Sequence, residues 1–293
     1  MTSLYEQLAD LPLVVDDFEL ARHEMDTSAG FTRVTTVLTL HGDGATGRGE
    51  DVTYDAPDHD DVPAEGLDLA GEYTLAEFSA SLEDRELFPT APERDVSRHY
   101  RRWALESAAL DLALRQAGAS LGEALGREYD PVRFVVSPSL ASDDGVPAIE
   151  PVADLLEAYP GTEFKLDPTP DWDEDLFEAL VATGAVRVLD LKSYYEGTEV
   201  DNPADPDLYE RVLTAFHEAV VEDPRFTDET RALLEANADR LSWDYPVTGV
   251  DSIEGLPIEP QVLNCKPSRF GTVESLLETI GYCEREGIAL YGG

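Results

Sequence analysis

The chain has 293 residues, of which 62 are acidic and 21 are basic, and its formal net charge is −41. Its hydrophobic content of 42%, with 12 Tyr, 10 Phe and 3 Trp, is enough for a packed core and excludes an acidic disordered chain. So acidic a chain offers no basic stripe to a polyanion, which argues against nucleic acid as a partner.

The acidic charge is best explained by solvation in a very salty cytoplasm. Molar salt shortens the Debye length to about 3 Å and removes most of the repulsion between surface carboxylates. The alternative is an acidic surface that binds a basic partner. The two cysteines, Cys265 and Cys283, match no disulfide framework or metal-binding spacing. With no signal-peptide pattern and no long apolar run, we expect a halophilic cytoplasmic protein that does not enter a membrane.

The first part of the chain, residues 1–130, is predicted to be an α+β unit. Three stretches alternate apolar and polar residues as the strands of an antiparallel sheet do: DFELARHEM (17–25), FTRVTTVLTLHG (31–42) and GRGEDVTY (47–54). After an acidic loop, Thr74 and Glu77 form a capping box that begins a helix. A second, amphipathic helix is predicted over residues 97–117 and ends at Gly118.

From about residue 132 the pattern changes to strands that alternate with helices. Seven short apolar segments are predicted as strands: VRFVVS (132–137), EFKLD (163–167), VRVLDLK (186–192), AVVEDP (219–224), RLSWDYP (240–246), QVLNCKP (261–267) and IALYGG (288–293). Near-continuous apolar strands between helices indicate a parallel sheet covered on both faces. Doubly wound sheets and (β/α) barrels both fit, although no phosphate-binding glycine loop follows the first strand.

Lysine is the most informative residue type in this sequence. Only three lysines occur, against 18 arginines, and each lies in or at the end of an apolar run: Lys165, Lys192 and Lys266. Adaptation to salt explains the surface acids, but it does not explain lysines in strand-like positions. We therefore expect these three side chains to have a function.

Other polar residues follow or interrupt the same strands: Asp167, Asp190, Glu222, Asp244 and Asn264. The carboxyl ends of barrel strands form the active site, so these side chains are expected to converge. Any one of them alone is more often a salt-bridge partner, especially in so acidic a chain. Three carboxylates on successive strands, however, are the hard oxygen ligands that Mg²⁺ prefers.

The combination of metal ligands and lysines predicts a type of reaction. Close to a divalent cation the ammonium form of lysine is disfavoured, so the side chain can act as a base. A metal ion can also stabilise the enediolate that forms when a proton next to a carboxylate is removed. The sequence thus predicts Mg²⁺-assisted proton abstraction from a carboxylate substrate.

Over nearly its whole length the chain resembles the enolase superfamily, in its mandelate racemase/muconate lactonizing branch. The segments GRGED and ALESAALDLAL resemble the capping domain of that family, and FKL, VLDL, VVEDP, LSWD and LNCKPSRFG resemble successive barrel strands. The resemblance implies an α/β fold, with a (β/α) barrel of modified TIM type over residues 131–293 preceded by an α+β capping domain over residues 1–130. The family continues through one more helix and strand, so we expect this sequence to lack the last helix and strand of the barrel.

Carried over by position, the resemblance implies a set of site residues: Mg²⁺ ligands at Asp190, Glu222 and Asp244, a catalytic lysine at Lys266, and at Lys165 a lysine that stabilises substrate charge. The segments MDTSAGF (25–31) and EDVTYD (50–55) fall where the family places its specificity loops.

Two positions depart from the family pattern. The second lysine of the second strand, the family's usual acid/base group, is Asp167 here, and Lys192 stands where the family has asparagine. We hypothesise that Lys192 replaces the missing base, with Lys266 on the other side of the substrate. Asn264 is a further candidate that faces the pore.

These residues predict an Mg²⁺-dependent isomerase or lyase that acts on a small-molecule carboxylate. Racemisation, epimerisation, cycloisomerisation and elimination all remain open as outcomes. One alternative is an acid-sugar dehydratase of the same superfamily, and another is a barrel that binds an anion without turnover. The resemblance also implies a homo-oligomer.

Overall fold

The computed structural model describes residues 2–27, 31–60, 62, 67–141, 145–198 and 200–292. They form two compact units. The first contains residues 1–130, 248–250 and 266–285, and the second contains residues 131–247, 251–265 and 286–293. The loop predicted over residues 25–31 includes residues 28–30, which lie outside the described part of the chain.

The first unit contains two antiparallel sheets. The strands in its described residues are β1 (Pro12–Val15), β2 (Asp17–Asp26), β3 (Thr32–Gly42), β4 (Ala45–Asp51) and β5 (Gly71–Thr74). Strands β2, β3 and β4 form the predicted three-stranded sheet, which is confirmed. The sequence did not predict that β1 pairs with β5, because two four-residue strands are too short to show a period of two.

The described part of residues 1–130 also contains a 3₁₀ helix (Ala56–His59) and the α-helices α1 (Leu75–Ser81), α2 (Ser97–Ala117) and α3 (Leu121–Ala124). The predicted capping box is present, with Thr74 and Glu77 each accepting a hydrogen bond from the backbone of the other. Helix α2 ends where Gly118 adopts a left-handed conformation (φ 66°), as predicted.

Two glycines of the GRGED segment let β4 lie directly against α2. A Cβ atom at Gly47 would lie 2.3 Å from the carbonyl oxygen of Ala108, and one at Gly49 would lie 1.9 Å from that of Ala104. Both distances are far below van der Waals contact, so only glycine allows the strand to approach the helix this closely.

From residue 150 onward helices and strands alternate as predicted. The α-helices and strands are α4 (Glu150–Ala158), β6 (Phe164–Leu166), α5 (Glu174–Thr183), β7 (Val186–Asp190), α6 (Pro206–Ala215), β8 (Val220–Glu222), α7 (Arg231–Glu235), β9 (Leu241–Ser242), α8 (Val250–Glu254), β10 (Val262–Asn264), α9 (Val273–Glu286) and β11 (Ala289–Tyr291), with 3₁₀ helices at Ala238–Arg240 and Pro267–Phe270. None of the helices in the described ranges is both long and apolar enough to cross a membrane.

The second unit contains a parallel sheet with the strand order β6-β7-β8-β9. The backbone N–H of Asn264 donates to the carbonyl of Trp243 (3.1 Å), which places β10 beside the end of β9, and β10 pairs in parallel with β11. Leu189 of β7 and Val221 of β8 are fully buried, as expected for strands covered on both faces. The predicted α/β class, an α+β unit followed by a parallel sheet, is confirmed.

The strand predicted over VRFVVS (132–137) is wrong except at one residue. Val136 forms an isolated parallel bridge with Phe164, and its N–H donates to the carbonyl of Glu163 (2.8 Å). Phe134 is 81% exposed and Val132 is 72% exposed. The segment thus lacks the burial that stabilises the other strands of this sheet.

Candidate functional site

Three carboxylates meet at the carboxyl ends of two neighbouring strands. Asp190 is the last residue of β7, Glu222 is the last residue of β8, and the two are partners in the register of the sheet. Asp223 follows directly. One carboxylate oxygen from each of the three residues lies within 4.8 Å of the others, and all three residues are fully buried. The carboxyl ends of adjacent strands thus bring together two of the three predicted ligands, Asp190 and Glu222, and also Asp223, which was not predicted.

The third predicted ligand, Asp244, lies beside this group. It follows β9 and is fully buried, and its backbone N–H donates to Oδ1 of Asp223 (2.8 Å). The hydroxyl of Tyr195 donates to Oδ2 of Asp244 (3.2 Å). Asp223 also accepts from the N–H of Tyr245. Asp223 therefore holds the backbone that carries Asp244.

Two of the three lysines bind these carboxylates. The ammonium group of Lys165, at the centre of β6, donates to Oε1 of Glu222 and lies 3.0 Å from Oδ2 of Asp190. The ammonium group of Lys192 donates to the same Oδ2 of Asp190 and lies 3.7 Å from Asp167. Oδ2 of Asp190 thus lies between two cations.

The other predicted residues occupy different environments. Asp167 follows β6, and its side chain is 46% exposed. Asn264, the last residue of β10, is buried and donates from Nδ2 to Oε2 of Glu222 (3.0 Å). Within the described ranges its Oδ1 has no hydrogen-bond partner. Lys266 is half-buried just before a 3₁₀ helix (Pro267–Phe270), in a segment that belongs to the first unit.

Sequence reasoning missed two residues that contact the site, one at the end of another strand and one in the loop after β7. Tyr291 ends β11, and its hydroxyl donates to Oε2 of Glu222 and is hydrogen-bonded to Ser242 Oγ (3.1 Å). Tyr195, which binds Asp244, also lies with its ring centroid 5.2 Å from the Lys192 ammonium. The one sequence signal for both was an aromatic residue close to a strand end.

Two residues of the site have unusual backbone conformations. Lys192 has φ 54° and Asp223 has φ 52°, and each lies just after the end of its strand. Left-handed φ values are uncommon for residues other than glycine, and they concentrate at functional sites because the surrounding structure must hold them. Here that conformation accompanies the contacts that both side chains make with the carboxylate cluster.

Burial and charge shift the pKa values of the buried acids in opposite directions. Burial, together with the charge of Asp190, raises the pKa of Glu222 to about 7. Burial and the charges of Asp190, Asp244 and Glu222 raise the pKa of Asp223 to about 8. For Asp190 burial acts in the same direction, but Lys192 and Lys165 outweigh it and hold its pKa below the usual range.

The pKa values of the two lysines are raised. Burial favours the neutral amine in both, but Glu222 and Asp190 outweigh this effect at Lys165, and Asp190 and Asp167 outweigh it at Lys192. Both lysines are therefore ammonium groups at neutral pH while the carboxylates hold no metal.

The donor set of this site fits a hard divalent cation. The carboxylates of Asp190, Glu222, Asp223 and Asp244 are buried here, and the ammonium groups of Lys165 and Lys192 pair with the first two, so full ionisation of these six side chains leaves two negative charges unbalanced. Buried charge without a partner is costly, and one divalent cation would balance it. Carboxylate oxygens and an amide oxygen such as Oδ1 of Asn264, which has no partner among the described residues, are the ligand types that Mg²⁺ prefers.

Family matches cover nearly the whole sequence. Residues 6–124 match the N-terminal domain, and residues 128–293 the C-terminal domain, of a family described as a domain of unknown function (DUF8230). No curated protein matches the chain.

Several solved structures share the fold. A dipeptide epimerase from Methylococcus capsulatus, complexed with Mg and the dipeptide L-Arg-D-Lys, aligns with a TM-score of 0.64 at 21% identity, over 96% of this chain and 83% of its own. The muconate lactonizing enzyme from Pseudomonas putida aligns with a TM-score of 0.60 at 19% identity, over 96% and 80%. An enolase-superfamily member from Listeria innocua aligns with a TM-score of 0.64 at 18% identity, over 96% and 78%. The predicted resemblance to the muconate lactonizing branch, with its capping domain and TIM-type barrel, is confirmed as a likeness of fold.

Proposed function

The chain belongs to the DUF8230 family, and we propose that it is a metal-dependent enzyme that removes the proton next to the carboxylate of a small molecule. The observation that carries this proposal is the placement of two lysines, Lys165 and Lys192, on one oxygen of Asp190 within a cluster of buried carboxylates. That cluster supplies both metal ligands and candidate bases in one small volume.

The metal ligands in this proposal are Asp190, Glu222 and Asp244. Asp223 supplies a further carboxylate and Asn264 a neutral oxygen. A Mg²⁺ held by these residues would supply positive charge to stabilise the negative charge that develops on the substrate carboxylate. Mg²⁺ usually keeps water or substrate oxygens among its ligands, so the cluster need not provide all six.

The lysines have separate roles. Lys165 pairs with Asp190 and Glu222 in the metal-free site, and once a cation takes its place on these oxygens it would bind and neutralise the substrate carboxylate. Lys192 is the proposed base, with Lys266 as the second catalytic lysine. A bound cation would neutralise Asp190, one of the anions that raise the pKa of Lys192, and burial would then favour the neutral amine that a base requires.

The fold neighbours support a carboxylate substrate without fixing its identity. One is a dipeptide epimerase complexed with Mg and a dipeptide, and another is a muconate lactonizing enzyme. The proposed outcome is accordingly isomerisation or elimination after proton removal. The fold itself does not choose between these, because loops on a common scaffold determine specificity.

Calorimetric titration with Mg²⁺ in molar KCl tests the metal site. We expect saturable binding by the native protein and its loss in Glu222→Gln. Glu163→Gln is the matched control, because Glu163 lies just before β6, at the amino end of the same sheet, where it pairs with Arg187. Equal binding by the native protein and Glu222→Gln would contradict the proposal.

A second experiment tests the chemistry. The protein is incubated in D₂O with sugar acids, N-acyl amino acids, dipeptides and muconate-like diacids, and incorporation of deuterium next to the carboxylate is followed by NMR. We expect Mg²⁺-dependent exchange with one of these classes. Ligand-induced stabilisation that needs no Mg²⁺, with no exchange, would instead indicate a binding protein.

A further inference from the structure

We propose that Tyr291 is a positioning residue that fixes the Glu222 carboxylate for cation binding through the hydrogen bond from its hydroxyl to Oε2. This inference rests on the proposed metal site, and it assigns a role to a residue of the last strand. Tyr291 touches no reacting atom in this role and acts through Glu222 alone.

The two oxygens of Glu222 have different kinds of partner. Oε1 accepts from the Lys165 ammonium, whereas Oε2 accepts from Asn264 Nδ2 (3.0 Å) and from the Tyr291 hydroxyl. An ammonium group competes with a cation for the oxygen that it occupies, whereas neutral donors on the other oxygen bring no competing positive charge. A cation can therefore replace the Lys165 ammonium at Oε1, while Asn264 and Tyr291 keep their hydrogen bonds to Oε2.

The sheet register explains why Tyr291 reaches Glu222 from so far along the chain. Asn264 and Tyr291 are register partners in β10 and β11, so their side chains arrive together at Oε2. The carbonyl of Tyr291 accepts from the N–H of Cys265 (2.7 Å), which fixes the end of β11. Two adjacent strands thus present two donors to one oxygen.

The hydroxyl of Tyr291 is itself held in place. It is hydrogen-bonded to the Oγ of Ser242 (3.1 Å), a fully buried residue of β9 that is the register partner of Glu222. Groups that orient a metal ligand in this way typically change metal affinity by 10- to 100-fold when they are removed. A residue that only packed against the sheet would change stability and leave affinity unaltered.

The test compares Mg²⁺ affinity by calorimetry in the native protein, Tyr291→Phe and Tyr73→Phe. Tyr73 is the matched control, because it is also half-buried and its hydroxyl donates to the carbonyl of Ala70 (3.3 Å) in the first unit. We expect Tyr291→Phe to bind Mg²⁺ at least about 10-fold more weakly and Tyr73→Phe to match the native protein. Melting temperatures in EDTA serve as the second measurement.

Each outcome has a distinct meaning. Native-like affinity in Tyr291→Phe would overturn the positioning role, whatever its melting temperature. Absence of binding in the native protein would instead overturn the proposed metal site. If Tyr291→Phe does not fold, Ser242→Ala replaces it: this variant keeps the tyrosine and removes its second partner. We expect Ser242→Ala to bind at least about threefold more weakly, and unchanged affinity would overturn the inference.

Discussion

Lys192 folds back onto Asp190, the residue two positions before it. The backbone N–H of Lys192 donates to Oδ1 of Asp190 (3.0 Å), and its ammonium group donates to Oδ2. The left-handed backbone of Lys192, with φ 54°, accompanies this double contact. The Lys192 amine therefore contacts a proposed metal ligand. This is the position that the proposed base requires if the substrate carboxylate binds the same metal ion.

Lys192→Met is expected to lower the rate of α-proton exchange by about 10²- to 10⁴-fold, the usual contribution of a positioned acid or base. The physical reason is that methionine keeps the length of the side chain and removes the amine. Exchange into D₂O, measured by NMR with an active substrate, checks this result.

Lys192→Arg is the control, because arginine keeps the positive charge beside Asp190 but does not lose its proton near neutral pH. It should be as inactive as Lys192→Met while keeping Mg²⁺ affinity close to native. Full turnover in Lys192→Met together with its loss in Lys266→Met would show that Lys192 does not replace the missing base.

Metal-free protein is expected to lose stability as the pH rises from about 4 to 8. Asp223 and Glu222 have folded-state pKa values of about 8 and 7, above their ordinary values of 3.8 and 4.5. Between these pH values the folded state binds more protons than the unfolded chain. The two protonated carboxyl groups therefore contribute fully to the free energy of unfolding below pH 3.8, and this contribution is lost as the pH rises through 7 and 8.

The measurement is the free energy of unfolding by denaturant, in EDTA, at several pH values. Asp223→Asn should flatten the slope, because asparagine keeps an acceptor for the N–H groups of Asp244 and Tyr245 but does not ionise. Asp171→Asn, at an exposed aspartate of the same unit, is the control. Saturating Mg²⁺ should oppose the loss of stability, since it favours the ionised carboxylates. An unchanged slope in Asp223→Asn would contradict the raised pKa.

Residues at strand ends were predictable from the sequence, whereas residues placed by long-range pairing were not. Asp190 and Glu222 follow apolar runs directly, and the parallel register brings them side by side. Asp223 joins the cluster with a left-handed backbone, which no local pattern indicated. Tyr291 reaches Glu222 because β11 pairs with β10, a contact that has no local signal.

Burial explains the main error in the predicted fold. The segment around Phe134 has the composition of a strand, but its apolar side chains are exposed and only Val136 bridges to β6. The amino-acid composition of a segment indicates how much burial would stabilise it as a strand, but not whether it is buried. Strand propensity depends on packing against neighbouring side chains more than on the backbone. Helices α5 and α6 of the second unit begin at the capping residues Asp173 and Asp205, a local signal that the segment around Phe134 lacks.

Gly49→Ala is expected to destabilise the first unit by about 2 kcal/mol or more, because its Cβ would lie 1.9 Å from the carbonyl oxygen of Ala104 on α2. The free energy of unfolding in denaturant measures this. Gly281→Ala, inside α9, is the control: its Cβ would meet nothing closer than 3.5 Å, so it should stabilise by about 0.5–1 kcal/mol. Equal stability of Gly49→Ala and the native protein would show that β4 can move away from the helix at little cost.

Raising KCl from 0.1 to 1 M is expected to raise the melting temperature in EDTA by several degrees. The net charge of −41 destabilises the compact state through self-repulsion, and this salt change shortens the Debye length from about 10 Å to about 3 Å. Sucrose is the control, because it stabilises proteins by exclusion from their surface without screening charge. If KCl raised the melting temperature no more than sucrose does, repulsion between surface carboxylates would not be what destabilises the fold at low salt. An interface for a basic partner would then be the better explanation of the acidic surface.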